Sequence, residues 1–380
     1  MRRLFNQVMP YAWGSRSAIA ALQGRPPSPT PEAELWLGTH VVAPSRVDGP
    51  TGATLAQVIA ADPLGTLGPQ VQARFGELPF LLKVLAAEAP LSLQAHPSKS
   101  QAEAGFAREN AAQIPLTAPH RLYRDANHKP ELICALSEFE ALCGFRPVPE
   151  SLALVAALQL DDLHAQLSQG LAQGFHWLMR LGPTEQRQLV SQTLAAVSRL
   201  PQPSASLVNR LAQQYPTDVG VVAALLLNHV TLQPGEALFL PAGNLHGYLR
   251  GTGIELMANS DNVLRGGLTP KHVDVEALMS VLRFEGAPVV IQHPDAPAQG
   301  EPLAQAHVPE FTLTRMALND ARVLQRRGPE ILLCTAGEIQ VSAAADRQTL
   351  RQGDSLFAAF NEGPLSLTGR GTVFRASVGL

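Results

Sequence analysis

Sulfur is scarce in this chain. Its 380 residues include three cysteines, Cys134, Cys143 and Cys334, and no Cys-x-x-Cys pair. That pattern excludes a disulfide framework and an all-sulfur zinc site. It suits a reducing compartment in which the thiols pack as small apolar side chains. An excess of charge is also missing. The 29 Lys and Arg nearly balance the 32 Asp and Glu, the formal net charge is −3, and no basic run stands out. Nothing therefore favours nucleic acid or an anionic membrane as partner. No apolar stretch reaches the roughly 18 residues of a membrane helix. Residues 219–227 come nearest, and Asn228 ends them. Arg2 and Arg3 are not followed by the apolar segment of a secretory leader. A cytoplasmic protein is expected.

Turn formers are plentiful, with 30 Gly and 31 Pro, and a chain of this length suggests two or three domains. The first third reads as strands and loops. Leu35, Leu37 and Thr39 alternate onto one face. The apolar run 80–85 is interrupted by Lys83, whose ordinary reading is a side chain snorkelling near a strand end. Ser98 and Gln101 form a capping box ahead of a helix over 101–112, and a strand is expected over 129–139. From Pro149 to about Asn228 the sequence turns to Leu, Ala and Gln. Val190, Leu194 and Val197 recur at helical spacing, as do Leu207, Leu211 and Tyr215. Pro183-Thr184 and Thr217-Asp218 mark helix starts. Strand patterns resume at His229, with Pro234-Gly235 as a turn, and continue in short runs at 331–334, 339–341 and 355–360. The expected fold class is mainly β with a helical insert, its many short strands closing into barrels or jelly rolls.

Gln94, His96, Glu131 and His246 carry the chemistry. Residues i and i+2 of a strand face the same way, so Gln94 and His96 point together. Neutral imidazoles and an amide oxygen are competent ligands, and a glutamate adds the charge that holds a divalent ion. By itself Gln-x-His also describes a hydrogen-bonded pair on a half-buried strand. The run from Gly235 through Pro241-Ala242-Gly243 to His246 is more specific. It matches the second cupin signature, in which a strand reaches a tight Pro-x-Gly turn and the next strand presents a histidine. Glu131 comes 35 positions after His96, far beyond the spacing of a simple cupin.

That departure, with Gln94-Ala95-His96-Pro97, Asn127-His128-Lys129-Pro130-Glu131, Cys143-Gly144-Phe145-Arg146-Pro147 and the long run from Ile254 to Lys271, resembles the type I phosphomannose isomerase (mannose-6-phosphate isomerase) family over most of residues 1–285. The resemblance implies two cupin-type jelly-roll β-barrels plus an α-helical domain. A catalytic barrel would comprise 1–148 and 228–285, a helical insert 149–227, and a metal-free barrel 286–380. No histidine follows His307, in keeping with a C-terminal barrel that lacks ligands. The resemblance further implies one Zn2+ per chain, held by Gln94, His96, Glu131 and His246. The implied activity is a zinc-dependent aldose–ketose isomerisation of mannose 6-phosphate and fructose 6-phosphate through an enediol, within mannose metabolism and GDP-mannose biosynthesis. The expected partner is the hexose 6-phosphate, with no nucleic acid or membrane, and the expected state is a monomer.

Such a reaction needs a base, a stabiliser for the developing oxyanion and a proton shuttle. The family associates catalysis with the residues at Arg265, Lys129, Asp261 and His128, and substrate or phosphate binding with those at Ser92, Lys83 and Lys271. Lys129 precedes Glu131 by two and shares its face. Arg265 is always charged; it is also placed to pair with Asp261 and hold a loop. The residues do not choose the base. Two other readings are weighed. In one, the chain is a non-catalytic sugar-phosphate-binding bicupin. In the other it is an iron-dependent cupin oxygenase, which the Gln ligand disfavours.

Overall fold

The structure, a computed structural model, describes residues 1–293, 303, 308–344 and 346–380. It is a mixture of sheet and helix, and the described strands form one 10-stranded and one 8-stranded sheet. The first sheet is organised around a single long strand, His246–Ala258. Its later half pairs with Phe80–Ala87 on one side and Glu131–Ala135 on the other. Its first residues pair instead with Gln94–Ala95 and with Phe139–Phe145. The change of partners coincides with a register shift between Tyr248 and Arg250. Gly251 follows at φ +119°, where an added Cβ would lie 2.5 Å from the carbonyl oxygen of Glu138. Only glycine meets both conditions, so the strand turns there and serves two parts of the sheet.

Alternation along each strand separates two faces. Leu93, Ala95, Leu142, Leu245 and Leu249 join the core that the helices cover. Ala141, Cys143 and Tyr248 face the opposite way, into a second cluster with Leu85, Ile133 and Ala135. Gln94 and His96 share the parity of that inner face, as does Glu131 with Ile133 and Ala135. Leu82, Val84, Leu132, Cys134 and Leu256 look outward and pack against Phe311, Leu313, Ile331 and Phe374 of the second sheet.

Between Val148 and Leu226 the described elements are all helical, from Val148–Ala157 to Ala224–Leu226. Pro183 opens one of them at its first turn, as its sequence position predicts. The capping box at Ser98 is present, with its hydroxyl on the Gln101 N–H and the Gln101 side chain on the Ser98 N–H.

Two local expectations change. The strand expected over 129–139 is two, Glu131–Ala135 and Phe139–Phe145; Pro130, with no N–H to donate, and the bend at Ser137 interrupt the ladder. The strand, turn and strand expected about Pro234-Gly235 are present, the first strand joining Phe139–Phe145 and the second Glu131–Ala135. The runs at 331–334 and 339–341 are one strand, Glu330–Ala343, with a register shift between Cys334 and Ala336. Arg2–Phe5 and Arg46–Val47 are strands of the second sheet, the first pairing with Ser355–Ala358 and the second with Arg2–Phe5. Part of the expected C-terminal division, 294–302, 304–307 and 345, lies outside the described residues.

Candidate metal centre

Three side chains from three separate segments meet at the inner face. Nitrogen or oxygen atoms of His96, Glu131 and His246 all lie within 4.8 Å of one another, and all three residues are buried. Local geometry explains each placement. His246 opens the long strand directly after the turn Pro241–Gly243; Gly243, at φ +78°, hydrogen-bonds its N–H to the carbonyl of His96 at 2.8 Å. A Cβ on Gly243 would meet the carbonyl oxygen of Val281 at 2.7 Å. Glu131 is the first residue of its strand, opposite Leu240 and Met257.

The hydrogen bonds fix both imidazole tautomers. His96 Nδ1 lies 2.7 Å from the carbonyl oxygen of Asn262, and His246 Nδ1 lies 3.0 Å from that of Asn244. A carbonyl only accepts, so each Nδ1 carries the proton and each Nε2 presents a lone pair. Those two Nε2 atoms and Glu131 Oε2 are buried without a hydrogen-bond partner. His96 Nε2 sits 3.4 Å from Glu131 Oε1, and His246 Nε2 sits 3.1 Å from Glu131 Oε2. Acceptors facing acceptors in a dry site repel unless something positive lies between them. Ligands about 2.0–2.2 Å from a tetrahedral zinc stand about 3.3 Å apart, so the donor set fits such an ion in chemistry and in spacing.

The electrostatics agree. Burial, then the neighbouring Lys129, pushes the His96 imidazole down to about 4, so it stays neutral and able to ligate. Burial alone would raise Glu131, but the neighbouring Lys129 ammonium holds it well below the usual carboxylate range. Lys129 Nζ is 2.9 Å from Glu131 Oε1, on the shared face the sequence predicts. Gln94 lies opposite His246 on one side and Arg265 on the other, and directly opposed residues project to one face.

Of the remaining expected residues, Arg265 and Lys271 come together with Arg124. Burial and Arg124 lower the Arg265 guanidinium, and burial, Arg265 and Arg124 lower Lys271. None of the three forms an ion pair among the described residues. Neighbouring cations that no carboxylate engages in an ion pair suit an anion. Arg124 gave no sequence signal, because nothing local relates it to residue 265. Ser92 is half-buried two residues before Gln94. Asp261 accepts a hydrogen bond from His40 Nε2 at 3.1 Å; the Val42 N–H on His40 Nδ1 leaves the ring proton on Nε2.

Two expected residues have carboxylate partners of their own. Lys83 is mid-strand and buried, 3.0 Å from Glu255, 3.6 Å from Glu34 and over the Trp36 ring. Burial alone would lower its pKa; Glu255 and Glu34 outweigh that and raise it. It does not snorkel, since two carboxylates hold its ammonium inside the sheet. His128 turns away from Lys129 and bonds through Nε2 to Glu310 at 2.8 Å, beside Phe311 of the core between the sheets.

Comparison with known proteins places these features in context. The sequence model of the phosphomannose isomerase type I catalytic domain matches residues 1–148. The chain is 39% identical to mannose-6-phosphate isomerase of Shigella flexneri, over 99% of each chain. It is 35% identical to the enzyme of that name from Homo sapiens, over 93% of this chain and 92% of that one. Among solved structures it is similar, with a TM-score of 0.93, 37% identity and full coverage of both chains, to mannose 6-phosphate isomerase from Salmonella typhimurium bound to fructose 6-phosphate and zinc.

Proposed function

The chain belongs to the type I phosphomannose isomerase family, and from that premise we propose how its residues divide the work of interconverting mannose 6-phosphate and fructose 6-phosphate. It is an aldose–ketose isomerase that uses one zinc ion, with His96, Glu131 and His246 as ligands and Gln94 as the fourth. The observation that carries this reading is the convergence of three buried, unpartnered acceptors. Bound zinc supplies a Lewis acid able to orient and polarise the two reacting sugar oxygens.

The chain's own groups supply the rest. Lys129, held at Glu131 Oε1, is placed to pass a proton between the two sugar oxygens. Arg265, in register with Gln94, offers a fixed positive charge to the enediolate. Asp261 serves as the base; His40, Lys129 and Arg124 hold its carboxyl below the usual range against a burial that would raise it. Arg124, Arg265 and Lys271 attract the dianionic phosphate, with Ser92 adding a hydroxyl. His128 acts through its bond to Glu310.

The strand arrangement supports two cupin-type jelly-roll barrels with separate interiors. The first would take most of 1–148 with 228–285, the helical insert 149–227, and the metal-free barrel 286–380. The thiols, free and buried, support a reducing compartment such as the cytoplasm, where the chain would act as a monomer; no helix among the described residues is long and apolar enough to cross a membrane.

Metal analysis coupled to turnover of mannose 6-phosphate tests the reading. One zinc per chain and loss of activity on chelation are expected. Calorimetric binding of hexose phosphates without turnover would instead favour a sugar-phosphate-binding bicupin.

A further inference from the structure

We propose that Asn262 is a positioning residue for the metal centre, fastening the His96 imidazole and the loop that delivers Lys129 and Glu131 to one fixed point. This rests on the reading of His96 and Glu131 as zinc ligands. Asn262 is fully buried, and its polar atoms face two structures at once. Its backbone carbonyl takes the Nδ1–H of His96 at 2.7 Å. Its side-chain oxygen accepts the N–H of Arg124 at 2.7 Å and that of Asp125 at 3.3 Å. Its side-chain nitrogen donates to the carbonyls of Asp125 and Asn127 at 2.9 and 2.8 Å, and is 3.2 Å from Asp125 Oδ1. An amide has two protons and two lone pairs, so the side chain is saturated.

The arrangement matters because, among the described residues, no other side chain bonds the 124–127 segment while its own backbone carbonyl holds the His96 ring. His96 follows a two-residue strand that pairs with His246 and with Leu264–Arg265. Glu131 begins a strand that pairs with Ala237–Leu240 and the far half of the long strand. No ladder joins the two, and the loop 124–130 enters Glu131 directly. A shift of Asn262 therefore turns the His96 ring and frees that loop together. Groups that orient metal-bound histidines are worth about 10- to 100-fold in metal affinity.

The test is zinc affinity, measured by competition with a chromophoric chelator on the full-length chain stripped and reloaded with zinc. Asn262→Ala should weaken zinc binding about 10- to 100-fold. Asn262→Asp should weaken it further, because a carboxylate oxygen would face the carbonyls of Asp125 and Asn127. Asp125→Asn loosens the same loop through Ser260 and the Asp261 N–H but leaves the His96 contact, and should lose less. Unchanged affinity in both Asn262 variants, or an equal loss in Asp125→Asn, overturns the proposal. If the variants do not fold, 15N NMR of the metal-free parent decides: a His96 proton on Nδ1 is expected, and one on Nε2 refutes the carbonyl contact. A parent chain that takes up no zinc would refute the metal centre itself, and the proposal with it.

Discussion

Glu131 in the first sheet and Glu330 in the second are each 1% exposed, yet their surroundings differ in kind. Glu330 is gripped by the guanidinium of Arg375, Nε on Oε2 at 2.9 Å and Nη2 on Oε1, with Arg326 at 3.5 Å. Donors meet acceptors, and the charge is closed. Glu131 has one lysine and two imidazoles whose bare nitrogens face it. Its site is finished only by a cation from outside. The interiors match this contrast. That of the second sheet is built from Met316, Leu332, Ile339, Val341, Leu356 and Val373, while the inner face of the first also carries Lys83, Glu34 and Glu255. A buried charge is costly unless paired, so a centre left short of a partner marks where function was kept at the expense of stability.

Substitutions at the two glutamates should therefore fail in opposite ways. Glu131→Gln removes the charge that holds the ion; zinc content should fall to near zero and turnover by at least about 10³-fold, roughly 4 kcal/mol of transition-state stabilisation. Metal analysis and kcat check both. Glu330→Gln strands two arginines and should cost about 3–5 kcal/mol in denaturant unfolding, while zinc bound per folded chain stays as in the parent. Loss of zinc in Glu330→Gln would break the comparison.

A smaller effect sharpens the first sheet alone. His40→Ala removes the N–H that helps hold Asp261 ionised, so the acid limb of kcat/KM should move to higher pH, and His40→Gln, which keeps a donor there, should move it less. An unmoved limb would remove Asp261 from the base role. The smallest effect lies where the helical insert meets the sheet. His229 and Arg210 bond to Glu140; burial alone would raise that carboxyl, but these partners lower it from 4.5 to about 2. Its contribution is present above pH 4.5 and fades as the pH falls towards 2. Because the cluster lies at the surface and Arg210 reaches solvent, Glu140→Gln should cost about 1 kcal/mol at neutral pH, with the difference from the parent in Tm vanishing on acidification.

Local chemistry was readable in the residues themselves. The capping box at Ser98, the helical stretch from about Pro149 and the Pro-x-Gly turn before His246 are short-range arrangements, each set by backbone sterics within a few positions. The parity that puts Gln94 with His96, and Lys129 with Glu131, follows from the strand period alone. The residue types also limited the metal to one that accepts nitrogen and oxygen ligands.

The fate of isolated charges was not readable. Lys83 looks like a strand-end lysine until Glu34 and Glu255 arrive from strands 49 positions before and 172 after it in the chain. His128 looks like the neighbour of Lys129 until Glu310 claims it, and Asn262 looks like part of a loop until His96 and residues 124–127 close around it. The sequence by itself determined which atoms could bind a metal and which way each strand would aim them. Only the tertiary structure decided which of those atoms meet, because strand register and the pairing of buried charge depend on partners that no local pattern names.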